Sequence, residues 1–342
     1  MKNIYLRFMT WFPALLLFQL NTNAQQHYVV DRNFGSCGFT SNTGLSNPNP
    51  NELFKLSDGK YLVVGDVYDN FLNSTFIFFS RFNSNGSIDA SFGANGTTTY
   101  TFSSRNDVRC AVMNNEKIYV AGYEAPGNGY SSFRAYVAKF NADGTPDTSF
   151  NHTGDVVETI STNPISSSFY SDLILQPDGK LVAFGFETGN INGGANMVIA
   201  RRYNVDGSID PDFNPAVAYP GFPLPYGSYF SNGILNTNGS MRFAYISNSG
   251  SGEVTTVKLD SVGAPDSSYG INGVNITPIT NNIYSTPIKY FSDHHDNIFI
   301  QYGVSNNNQD IRVMKLDSDG NIDTTFSGDG FLDLMDYPIS NL

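Results

Sequence analysis

Cysteine is almost absent from this chain, with Cys37 and Cys110 the two among 342 residues. That excludes a disulfide framework of the kind that staples small exported domains. Cys37 falls in a turn and Cys110 at the start of a strand in another unit, so both read as free thiols. Charge is sparse too, and basic charge sparser: 19 Lys and Arg stand against 31 Asp and Glu, a net charge of −12. A chain this acidic has no field to attract nucleic acid or an anionic membrane, and its charge reads as solubility. Histidine is limited to His27, His152, His294 and His295. No Gly-x-Ser-x-Gly elbow occurs, and no glycine-rich phosphate loop runs into a helix, so nucleophilic triads and nucleotide chemistry lack their parts. His294 and His295, flanked by Asp293 and Asp296, sit in a turn without a third convergent ligand; no metal site and no cofactor is expected.

Long apolar runs are missing beyond the first two dozen residues, so no transmembrane segment is expected. The exception has the anatomy of a secretory signal peptide over residues 1–24. Lys2 and Arg7 precede the apolar stretch Phe8 to Leu20, and Thr22-Asn23-Ala24 supplies small residues for cleavage. Pro13 interrupts that stretch, and no cysteine follows the cleavage point to carry a lipid anchor. The mature chain, 25–342, is therefore expected outside the cytoplasm: secreted, at the cell surface or in the periplasm. Asn, Ser, Thr, Gly, Tyr and Phe dominate it, a composition suited to β-rich extracellular surfaces.

What the sequence has in abundance is repetition. Lys139-Phe140-Asn141-Ala142-Asp143-Gly144-Thr145-Pro146-Asp147-Thr148-Ser149-Phe150 returns as Arg81 to Phe92, Arg202 to Phe213, Lys258 to Tyr269 and Lys315 to Phe326, with a shortened copy at Asp31 to Gly35. Its closing aromatics stand at 34, 92, 150, 213, 269 and 326, in steps of 58, 58, 63, 56 and 57. A period of that length marks a repeat architecture. Each unit reads as four short strands. In the third, Asp172 to Leu175, Leu181 to Phe186 and Met197 to Tyr203 are strands, with a tight Pro177-Asp178-Gly179-Lys180 turn after the first. Asp-Gly between apolar runs is a hairpin signal. The fold class is all-β: a β-propeller of four-stranded blades, five in number, with six the alternative. The units run about 51–102, 107–160, 171–224, 230–279 and 287–335, with an extra N-terminal strand at 28–41.

Leu175-Gln176-Pro177-Asp178-Gly179-Lys180-Leu181-Val182, followed by Arg202-Tyr203-Asn204-Val205-Asp206-Gly207-Ser208-Ile209-Asp210, resembles the delta-60 repeat of exported bacterial proteins. The resemblance extends from about residue 30 to the C-terminus and implies a β-propeller-like fold. It implies little about activity.

Three places invite chemistry. The signature loop Asp317-Ser318-Asp319-Gly320-Asn321-Ile322-Asp323 alternates carboxylates as calcium loops do. Every copy carries a basic residue two positions before it, which favours a structural turn whose Asp is neutralised locally. The long dissimilar loops, Asp66 to Ser74, Tyr123 to Ser132, Glu187 to Asn196, Ala218 to Tyr229 and Thr280 to Thr286, carry exposed aromatics suited to sugar rings or a protein partner, with Tyr68, Tyr130, Tyr226, Tyr229 and Tyr284 the binding candidates. Counting back seven residues from the third position of each first hairpin turn gives Glu52, Arg109, Asp172, Asn232 and Tyr290 as the residues facing a central channel, with Asp107 nearby. Glu52 and Asp172 are then weak catalytic candidates, the two carboxyls of a glycosidase. The leading expectation is a non-catalytic, monomeric scaffold binding an extracellular glycan or protein through its long-loop face. The alternatives are a carbohydrate-active enzyme built on those carboxyls and a structural module of a surface assembly.

Overall fold

Runs of β-branched and aromatic residues, cut by Asp-Gly and Asn-Gly turns, fold in the computed structural model as a succession of antiparallel meanders. The structure describes residues 31–36, 39–40, 44–125, 133–158, 167–188, 196–213, 223–224, 229–230, 232–247, 252–279, 289–304 and 310–334. Unit I comprises β1 (Pro48–Lys55), β2 (Tyr61–Asp69), β3 (Ser74–Phe82) and β4 (Thr97–Tyr100). Unit II comprises β5 (Arg105–Asn114), β6 (Lys117–Ala125), β7 (Arg134–Phe140) and β8 (Asp155–Glu158). Unit III comprises β9 (Ser167–Leu175), β10 (Leu181–Thr188), β11 (Asn196–Tyr203) and β12 (Pro223–Leu224). In unit IV the first strand is split into β13 (Tyr229–Phe230) and β14 (Ile234–Leu235), followed by β15 (Met241–Ser247), β16 (Glu253–Leu259) and β17 (Val274–Pro278). Unit V comprises β18 (Lys289–Ser292), β19 (Ile298–Val304), β20 (Asp310–Leu316) and β21 (Phe331–Leu334). A parallel bridge between Thr75 and Arg105 joins the sheets of units I and II. The described residues form no helix long and apolar enough to cross a membrane.

The core lies between units. Along β6, Ile118 and Val120 face unit I, packing with Leu62, Val64 and Phe79, while Tyr119 and Ala121 face unit III, packing with Tyr170, Leu181 and Ala183. Along β15, Met241, Phe243 and Tyr245 pack on unit III, and Ala244 and Ile246 on unit V. Period 2 thus sends alternate side chains into two different interfaces, which explains why these strands read as continuous apolar runs. Each fully buried Leu, Val or Phe contributes about 1.5–3 kcal/mol by leaving water, so the stacking of units is the main source of stability.

The signature loops do two jobs. Within a unit, the Asp of the second half receives cations: Asp89 binds Lys60 Nζ and Arg81 Nε, each at 2.8 Å. Asp210 repeats this with Lys180 at 2.6 Å and Arg202 at 2.8 Å. Its other carboxylate oxygen accepts a backbone N–H two residues on, as in Ser91 to Asp89 at 3.2 Å. The basic residue then covers an aromatic: Arg81 lies 4.6 Å from the ring centre of Phe92, and Arg202 4.9 Å from that of Phe213. Between units, the loop docks on the closing aromatic of the unit before. A Cβ on Gly207 would stand 3.0 Å from Phe150, and one on Gly320 2.6 Å from the Tyr269 hydroxyl, so only glycine permits the approach. The N-terminal copy joins unit I in the same way, Gly35 N donating to Asn85 O at 2.6 Å.

Two boundaries differ from those expected. The loop expected over 66–74 begins later because β2 continues to Asp69, so Asp66 lies inside a strand and is buried. Tyr123, expected in a loop, is likewise a buried residue of β6, its ring packed against Phe133 and Phe169.

Candidate functional site

The first strands of units I, II and III share an irregularity. Pairing with the second strand skips one residue: Asn51 in β1, Arg109 in β5 and Ser171 in β9. Opposite each bulge stands a glycine, Gly65, Gly122 or Gly185, whose added Cβ would overlap the carbonyl of Asn49, Asp107 or Phe169 respectively. The glycine lets the bulged backbone press against the second strand, and the bulge re-aims the next side chain. In unit IV Tyr245 occupies the glycine's place, and there the first strand is broken into β13 and β14.

The residue after the bulge pairs with the one before the glycine: Glu52 with Val64, Cys110 with Ala121, Asp172 with Phe184. In unit V the equivalent pair is Lys289 with Gln301, and in unit IV the level falls at Asn232. Two of the residues expected at this level are thereby corrected. Arg109 is the bulged residue itself and Cys110 holds the position, because the unit II hairpin has a two-residue turn, Asn115 and Glu116 both at positive φ, where unit I has five. Tyr290 is buried one step further along, and Lys289 holds the position, because Asp296 takes the left-handed turn conformation that glycine takes elsewhere. Counting back from Asp296, the residue with positive φ, recovers Lys289, whereas Cys110 follows only from the pairing register of the shorter unit II hairpin.

These positions converge. Burial raises the Glu52 carboxyl, and Lys289 opposes the rise. Asp172 is pushed up to about 7, first by burial and further by Glu52, with backbone N–H donors and Lys289 acting against it. The Cys110 thiol is pushed up by burial and then by Asp172 and Glu52. Glu52, Cys110, Asp172 and Lys289, from four units, therefore sense one another. Hydrogen bonds tie the circuit: Gly233 N donates to Asp172 Oδ2. The Asn232 amide clamps the next unit, Oδ1 accepting Tyr290 N–H at 2.8 Å and Nδ2 donating to Tyr290 O at 2.5 Å. Lys289 is exposed, Glu52 and Asp172 are half-buried and Cys110 is buried.

Beside this level, Asp66 accepts Val108 N–H and Asn49 Nδ2, both at 3.1 Å, which links units I and II; burial is the main cause that holds its carboxyl at about 6. Arg109 is exposed, donates to the Tyr123 hydroxyl at 3.2 Å and lies 5.1 Å from the centre of that ring. Asp107 is paired with Arg105. Of the tyrosines named for binding, Tyr68 is 39% exposed at the end of β2, its hydroxyl 2.5 Å from Asn73 Oδ1. Tyr229 pairs through its backbone with Ile246. Tyr130, Tyr226 and Tyr284 lie outside the described residues, as does Cys37. Phe71, at the tip of the same hairpin as Tyr68, is 94% exposed. The rings of His294 and His295 meet at a tilt in their turn, and no group of three metal-ligating side chains gathers among the described residues.

Four segments, 56–92, 114–150, 176–213 and 300–326, match the profile of a domain of unknown function, DUF5122, described as a β-propeller. Each of the first three runs from the first hairpin turn or its edge to the closing aromatic. No curated protein matches the chain. Among solved structures, a protein of unknown function from Dyadobacter fermentans is similar at a TM-score of 0.49 and 9% identity, over 86% of this chain and 85% of that one. An α-L-arabinanase from Penicillium chrysogenum, complexed with arabinobiose, is similar at 0.43 and 12%, over 78% and 76%. An endo-arabinase from Bacteroides thetaiotaomicron is similar at 0.41 and 11%, over 80% and 94%. The expectation of a non-catalytic binding scaffold is corrected by this company, which consists mostly of enzymes acting on carbohydrates.

Proposed function

We propose that the chain is an exported carbohydrate-active enzyme whose five units close into a propeller ring, with Asp172 and Glu52 as its acid and base. The observation that carries this reading is the meeting of two carboxyls and a lysine, from three different units, at one level of the inner strands. Glycoside cleavage needs two carboxyls in different protonation states, and environment is what separates them. Asp172, at about 7, retains its proton near neutrality and is suited to donate it to the glycosidic oxygen as the C–O bond breaks. Glu52 is less perturbed, and Lys289 favours its ionised form. It is suited to take the proton of the water whose oxygen bonds to the anomeric carbon, or to bond that carbon directly. The same reach of Lys289 in unit V to Glu52 in unit I supports ring closure, with the N-terminal copy capping the joint on unit I.

The test is release of reducing ends from a panel of plant and microbial polysaccharides by the purified protein, with D172N and E52Q alongside. Loss of at least 100-fold in kcat for both variants is expected, and product anomeric configuration distinguishes the two roles open to Glu52. Silence across the panel, or full activity in both variants, overturns the reading.

A further inference from the structure

Most cations in the described residues are matched to an acid. Lys60, Arg81, Lys117, Lys139, Lys180, Arg202, Lys258 and Lys315 all serve the signature aspartates. Arg105, Arg134, Arg201 and Arg312 each hold a carboxylate of their own. Apart from Lys55 at the turn end of β1, two exposed cations of the inner strands have no carboxylate within ion-pair distance among the described residues: Lys289, at the level of Glu52 and Asp172, and Arg109, at the bulge of β5. Neither is free to wander. Lys289 is anchored by its buried neighbour Tyr290, whose backbone Asn232 clamps, and Arg109 is laid over Tyr123. In a chain of net charge −12, the general field repels anions, so an anionic ligand is held only where cations are set locally and left unpaired. The lysines that serve the signature aspartates are paired; an exposed, positioned and unpaired one is available to a ligand.

We infer that Lys289, with Arg109 as a second contact, binds the negatively charged group of the substrate, which makes that substrate an acidic glycan. This rests on the reading of Glu52 and Asp172 as the reacting pair and names the substrate class for it. The protonation of Asp172 near neutrality supports it, since Glu52 is then the one negative charge facing Lys289 from the reacting pair. The carboxylate of a uronic acid and a sulfate ester share the chemistry a lysine recognises.

Calorimetric titration with a uronic-acid trisaccharide, a sulfated trisaccharide and a neutral trisaccharide of the same linkage tests it. The charged ligand is expected to bind at least 10-fold more tightly than the neutral one, with the stronger of the two charged forms identifying the source of the charge. K289M is expected to erase that preference, K289R to restore most of it, and R109M to weaken it several-fold, all with Tm unchanged because both side chains are exposed. Added salt should weaken the charged ligand alone. Equal or tighter binding of the neutral ligand, or K289M without effect on a charged ligand that binds, overturns the inference. The two readings fail separately. Cleavage of neutral glycans by the wild type and its loss in D172N, with charged and neutral trisaccharides bound equally, leaves the catalytic pair and removes the anionic substrate, whereas charge-selective binding with no cleavage removes the catalytic pair alone.

Discussion

At the scale of single residues, the chain carries two kinds of perturbed carboxyl that pull stability in opposite directions with pH. The signature aspartates are held low. Asp266, at about 2, is lowered by Ser268 and Lys258, and Asp323, at about 2, by Lys315 and Thr325. A carboxyl whose folded value lies below its unfolded value of about 4 contributes stability above that value, and loses it as pH falls through the folded one. Asp172 is the reverse case, with a folded value of about 7. Its contribution is fully present below about 4 and is lost as pH rises through about 7. Melting temperatures measured from pH 2 to pH 9 should therefore show D172N flattening the fall between about pH 4 and pH 7 only, and D266N the fall below about pH 4 only. Parallel curves for the wild type and D172N would remove the assignment of the raised value. On the proposed function, the alkaline limb of activity belongs to the same residue: cleavage that needs protonated Asp172 is expected to fall above about pH 7, and the acid limb to follow the raised Glu52.

At the scale of the element, the inner strand shows how much was legible in the sequence and where legibility stopped. The Asp-Gly turn and the apolar runs located β9, β10 and β11, because each rests on local chemistry. Glu52, Asp172 and Asn232 followed from counting, since units I, III and IV share one hairpin length. Cys110 and Lys289 did not, because a two-residue turn and an aspartate at positive φ both shift the count by one, and in a strand one residue turns a side chain from one face to the other. The bulge was invisible for a different reason. It is a tertiary accommodation between two strands, signalled only by the glycine opposite. G185A is accordingly expected to cost about 3 kcal/mol or more, since its Cβ meets a backbone carbonyl that cannot rotate away. G328A, with nothing within 4 Å of its Cβ, should cost about 1 kcal/mol from its φ of 92° alone. Urea denaturation of the two variants measures the difference, and equal losses would mean that β9 has no fixed bulge.

At the scale of the whole molecule, the question is whether five stacked units behave as a row or as a ring. Each interface is a separate core, and in a row the stability of a unit depends on its nearest neighbours alone. Phe150, fully buried between units II and III and covered by the signature loop of unit III, is the place to cut. F150A removes a core aromatic and should cost about 3–5 kcal/mol. In a row, that loss separates units I and II from units III to V, and the two halves unfold at different denaturant concentrations. In a ring, unit V still holds unit I while the II–III interface is weakened, as the reach of Lys289 to Glu52 requires, and the molecule keeps one transition at a lower midpoint. Hydrogen exchange followed by mass spectrometry across a urea series reads each unit separately. Simultaneous loss of protection in β2, β6, β10, β15 and β19 of F150A is the expected result. Earlier loss in β2 and β6 would open the ring, and with it the site, because Glu52 and Asp172 belong to opposite sides of that cut.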